Sequence, residues 1–134
     1  MVAHGHRDGD DGQWSSFFIR VGQPAQSVRV LASTNCPESI VVSPLGCSTQ
    51  AQDPVPSDCA KTRGGEFNST LSQTWRDQGI FALNSDGVGF EANLGYSAHM
   101  DYGLETLGLG TTPDGPTLKN QTVSVIATTS PLYM

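Results

Sequence analysis

Apolar residues in this chain come in short runs, each closed by turn-forming residues, and that punctuation restricts the fold more than any single motif. Residues 16–21 are aromatic and β-branched, Gly22-Gln23-Pro24-Ala25 is turn chemistry, and Ser27-Val28-Arg29-Val30 alternates polar with apolar. An alternation of period two buries one side of a strand, and a short link containing Gly and Pro folds two such strands into a hairpin. Ser39-Ile40-Val41-Val42 reads as a short buried strand, stopped by Ser43-Pro44 and Gly46. Further strands are expected at 79–83, 87–91, 103–110 and 117–127, with turns at Asn84-Ser85-Asp86-Gly87 and Pro113-Asp114-Gly115-Pro116. Between Phe67 and Gly79 there is room for one helical turn around Leu71 and Trp75. No internal repeat or heptad pattern is present, so the expected class is all-β.

The 134 residues suffice for one domain with a real core. With only 15% charged residues and 15 glycines, the composition favours a turn-rich β protein over helices. A net charge of -6 repels phosphate backbones and anionic lipid, so nucleic acid is excluded as an expected partner. No apolar run has the length of a membrane span, and the first residues lack the apolar stretch of a signal peptide, so any export signal is expected outside this chain. Residues 1–13 are polar, with Gly5, Gly9 and Gly12 among charges, and are read as a flexible tail before a domain at 14–134. In that tail His4 and His6 stand beside Asp8, Asp10 and Asp11, but Ile19 occupies the position where a calcium loop needs glutamate. No metal and no cofactor are expected.

Three cysteines, Cys36, Cys47 and Cys59, permit at most one internal disulfide. A loop rich in small polar residues, with Pro54 and Pro56, runs between Cys47 and Gly65, and Cys47 with Cys59 would tie its ends together. Asn68-Ser69-Thr70 and Asn120-Gln121-Thr122 are sequons, making Asn68 and Asn120 glycan acceptors if the protein is secreted from a eukaryote.

The order strand, Gly22-Gln23-Pro24-Ala25-Gln26, strand, then Val30-Leu31-Ala32-Ser33-Thr34-Asn35-Cys36 resembles the opening of pepsin-like aspartic proteases, where the turn is Gly-Thr-Pro-Ala-Gln and the second strand runs into Asp-Thr-Gly-Ser. Ile40-Val41-Val42 matches the short apolar strand that follows. Phe67-Asn68-Ser69-Thr70-Leu71-Ser72-Gln73-Thr74-Trp75 is similar to the family's Phe-Asn-Pro-x-x-Ser-Ser-Thr-aromatic segment, and Gly103-Leu104-Glu105-Thr106-Leu107 to its Gly-x-Asp-Thr-Val strand. The resemblance covers residues 14–133 and looks closest to divergent secreted fungal members. It implies an incomplete N-terminal lobe of the pepsin-like fold, because the sequence ends before the apolar-apolar-Gly strand that completes that lobe.

The resemblance fails at the chemistry. Ser33, Thr34, Asn35 and Cys36 replace Asp-Thr-Gly-Ser position by position, so Ser33 occupies the catalytic slot. In that mechanism two carboxylates held close share one proton and activate a water molecule, and a serine hydroxyl neither carries the charge nor accepts the proton unaided. His4, His6 and His99 stand in no spacing that makes a Ser/His/Asp arrangement, and the second aspartate would come from a lobe not contained here. Tyr96 matches the flap tyrosine of the family, Cys36 is expected to be free and inert, and Asp86, Asp101 and Glu105 are expected to be solvated carboxylates. The implied function is a non-catalytic, secreted or vacuolar-lumen pepsin-like homologue that keeps a groove for a peptide or protein. The alternative is an aspartic endopeptidase active only with residues or a lobe absent from this chain. With its closing strand missing, the lobe is expected to have an open edge that promotes self-association, and apolar strands such as 40–42 and 123–126 are expected to lose their cover.

Overall fold

The computed structural model describes residues 5–6, 14–32, 38–48, 54–82 and 99–126. Among these described residues seven strands form one mixed sheet: β1 (Gly5–His6), β2 (Trp14–Val21), β3 (Gln26–Leu31), β4 (Ser39–Val42), β5 (Arg76–Ala82), β6 (His99–Leu109) and β7 (Thr117–Ile126). The class is all-β, as the run-and-turn pattern predicts. Strand order is β1-β2-β6-β7-β4, with β3 against β2 and β5 against β6. Gly5 and His6, from the segment read as a tail, pair with Ser15 and Trp14.

The β2–β3 hairpin forms where its residues direct it. Phe17 pairs with Val30 and Ile19 with Val28, and the alternate positions Ile19, Val21 and Val28 enter the core with Val41, Phe67, Val123 and Val125. The link contains a cis Gln23–Pro24 bond.

β4 and β7 pair in parallel, Val41 opposite Val125 and Val42 opposite Ile126. A strand covered on both faces is apolar at nearly every position, and that accounts for Ser39-Ile40-Val41-Val42 and Val123-Ser124-Val125-Ile126. Val41, Val123 and Val125 join the main core, while Ile126 and Met100, with Ile40, Val42 and Tyr102 against them, form a second cluster. These strands therefore cover one another, which corrects the expectation that 40–42 and 123–126 lie uncovered. Exposed apolar area is found on β5 instead, where Ile80 is 69% and Phe81 55% exposed. β5 also begins at Arg76, earlier than expected, because Arg76 and Asp77 find partners in Leu104 and Gly103, and β6 itself begins earlier, at His99, opposite Ala82.

The expected helical turn near Leu71 is a single 3-10 turn, Ser69–Leu71, and Trp75 lies outside it with its ring 5.8 Å from that of Phe67. The segment between Cys47 and Gly65 is more than a loop, since it contains a short helix, α1 (Cys59–Thr62). The Cys47–Cys59 disulfide, with Cα atoms 5.8 Å apart, joins α1 to the 3-10 turn Pro44–Cys47. No helix among the described residues is long and apolar enough to cross a membrane.

Candidate functional site

Ser33, Thr34, Asn35 and Cys36, which the resemblance aligns with a catalytic turn, lie outside the described residues, as do Tyr96, Asp86, His4, Asp8, Asp10 and Asp11. Both flanks of this segment lie in the sheet. β3 ends at Leu31, opposite Ser16, and the chain re-enters the sheet at Ser39, opposite Val123. Just before that re-entry Glu38 accepts a hydrogen bond from the Tyr102 hydroxyl at 3.3 Å. Tyr102 sits opposite Ser124 in the β6–β7 ladder, and Ser124 sits opposite Ile40. The Ser124 hydroxyl is buried and finds no hydrogen-bond partner among the described residues.

Beside Tyr102 an open, shallow slot of about 340 Å³ is walled by Phe81, Tyr102 and Leu104, with Gln78 and Thr122 at its polar margin. Phe81 and Tyr102 meet edge to face at 5.9 Å, a favoured geometry for aromatic pairs. The floor is Gly103, over which the indole of Trp75 lies so closely that a Cβ there would come within 2.4 Å of the ring. His99 is exposed at the start of β6, opposite Ala82.

Two expected solvated carboxylates are corrected. Glu105 is 1% exposed. Its carboxyl group accepts from the Ser72 hydroxyl at 2.6 Å, from the Thr74 hydroxyl, and from the Thr106 backbone N–H at 2.6 Å. Ser72 Oγ in turn accepts from the Gln23 backbone N–H at 3.1 Å, so Glu105 ties the 69–75 segment to the β2–β3 turn. Nothing near Glu105 in sequence marks this, because its two hydroxyl donors, Ser72 and Thr74, come from another segment. Asp101 on β6 is also only partly exposed. Its carboxyl is held above the ordinary aspartate value by desolvation first, then by the charge of Asp77 and a hydrogen bond to it.

The two sequons sit in different surroundings. Asn68 is locked locally: its side-chain oxygen accepts from the Thr70 N–H and the Thr70 hydroxyl, and its backbone is clasped by the Gln26 amide. Asn120 is exposed at a β6–β7 bulge with φ +54°, a conformation that asparagine tolerates better than most residues. Among the described residues no cluster of His, Cys, Asp and Glu could hold a metal.

No model of a known protein family matches the chain, and no curated protein matches it as a relative.

Proposed function

We propose that this chain is a pepsin-like domain that binds extended peptides without cleaving them, its catalytic aspartate replaced by Ser33. The observation that carries the reading is the position of Ser33. It follows the β2–turn–β3 hairpin and precedes the short apolar strand β4, the order in which pepsin-like proteases present their first aspartate. The carboxylate next along the chain, Glu38, accepts a hydrogen bond from the Tyr102 hydroxyl. The slot beside Tyr102 suits one apolar side chain of a peptide, and the exposed strand β5 offers backbone groups along which an extended chain can pair. A disulfide and two sequons support an oxidising, secretory environment, extracellular or vacuolar.

The test is incubation with a denatured protein substrate at acidic pH, with and without pepstatin. No cleavage is expected, and none from Ser33→Asp, because one carboxylate is half of the acid pair. A fluorescent peptide rich in Leu and Phe should bind the wild-type chain and bind Phe81→Ala about tenfold more weakly, the equivalent of losing part of one buried aromatic contact. Pepstatin-sensitive cleavage by the wild-type chain would overturn the reading in favour of an aspartic endopeptidase.

A further inference from the structure

At the other end of β6 lies a different kind of site. Arg20 on β2 is 8% exposed, on the strand face opposite to Ile19 and Val21. Its partner across the ladder is Gly108, which presents no side chain, and a Cβ there would fall 2.7 to 2.9 Å from Nη2, Cζ and Nε. The guanidinium therefore occupies a space that exists because residue 108 is glycine. It donates from Nε to the Gly110 carbonyl at 3.2 Å, from Nη1 to that of Pro113 at 2.7 Å and from Nη2 to that of Gly115 at 3.0 Å.

Three of the five guanidinium N–H groups are thus used. The two left, one on each terminal nitrogen, have no partner among the described residues, and no described carboxylate pairs with Arg20. Carbonyl dipoles do not neutralise a full charge, and a buried cation that cannot lose its proton stays costly until an anion approaches it. Arg20 opens onto a cavity of about 440 Å³ between the 22–25 turn and the 110–116 turn. Gln23, Ser27, Thr106, Thr111 and Thr117 line it, and no acidic residue does, in a chain whose net charge is -6.

We propose that this cavity binds a small oxyanion, a carboxylate or phosphate group, with Arg20 as the charge and the surrounding hydroxyls as additional donors. It is separate from the Tyr102 slot, so the proposal stands whether or not the chain binds peptides. If Arg20 served only to clasp the 110–116 turn, its remaining N–H groups would need no anion and none would bind.

The full chain is titrated with sodium phosphate and, separately, sodium acetate at constant ionic strength, following backbone amides and the Arg20 Nε–H by NMR. Saturable shifts at Arg20, Gly108 and Thr117 are expected with at least one of the two. Tighter phosphate binding would mark a doubly charged ligand, and tighter acetate binding a carboxylate. Thr117→Asp, at an exposed position on the cavity wall, should weaken binding at least about tenfold by placing a negative charge at its mouth while leaving amide dispersion intact. Thr117→Val should weaken it less. No saturable shift with either anion, or the same response in wild type and Thr117→Asp, would overturn the proposal.

Discussion

Replacing Glu105 by glutamine keeps the shape of a side chain that is 1% exposed and changes what it can accept. The native group takes three donors, from Ser72, Thr74 and the Thr106 N–H. An amide has one oxygen, and its NH₂ would face at least one donor with another donor. Hydrogen bonds to charged groups contribute about 1.5 to 3 kcal/mol each, and donors left facing a donor cost about as much again. Part is recoverable, because Ser72 Oγ and Thr74 Oγ1 lie 3.3 Å apart and can bond each other. The expected loss is about 2 to 3 kcal/mol for Glu105→Gln and about 3 to 4 kcal/mol for Glu105→Ala, which also opens a cavity. For a chain of 134 residues about 3 to 5 °C of Tm accompanies each kcal/mol, so Glu105→Gln should melt roughly 6 to 15 °C lower. A double-mutant cycle with Ser72→Ala, followed by thermal circular dichroism, should give a coupling of about 1 to 2 kcal/mol. Additive single effects, or a Glu105→Gln loss under about 0.5 kcal/mol, would show that Glu105 is the solvated carboxylate its sequence context suggests.

Gly103→Ala should cost about 1 to 3 kcal/mol in denaturant titrations, with a shift in tryptophan fluorescence, because its Cβ has to displace the Trp75 ring; an unchanged midpoint would show that the ring is not packed there. The raised pKa of Asp101 means that the folded state binds more protons, so its contribution to stability declines as pH rises from the ordinary value of 3.8 through the raised one. Asp77→Asn should therefore stabilise the fold at neutral pH and lessen that decline, as measured by denaturant midpoints across the acid range. Reduction of the Cys47–Cys59 bond, whose cysteines are 12 residues apart, should cost about 2 to 3 kcal/mol by release of the closed loop, read by the same titration with and without reductant.

What could be read directly from the residues were the features with local causes. The β2–β3 hairpin follows from two-residue alternation around a Gly-Pro link, β4 from an apolar run stopped by Pro44, and the disulfide from two cysteines bracketing a loop. Features that depend on which strands become neighbours could not be read. Arg20 looks like a surface residue until Gly108 is known to stand opposite it, and Glu105 looks solvated until the 69–75 segment is known to fold across it. The cover that 40–42 and 123–126 find was illegible for the same reason, since their parallel contact has no local signature. Residues 87–91, expected as a strand, and Ser33 to Cys36 lie outside the described residues.

The parallel seam between β4 and β7 also bears on how the protein comes into being. Ser43 holds the end of β4 in place with its hydroxyl and backbone N–H, both donating to the Ile126 carbonyl 83 residues later. On a ribosome the β2–β3 hairpin can close as soon as it emerges, whereas β4 waits for its parallel partner β7, which ends 83 residues after Ser43. The segment carrying Ser33 is thus synthesised early but fastened on its downstream side late. A nascent chain arrested before Ile126 would present a formed hairpin followed by an unpaired apolar strand, a natural substrate for chaperones. Protection of Ile40 to Val42 from hydrogen exchange should accordingly appear only when β7 has been released.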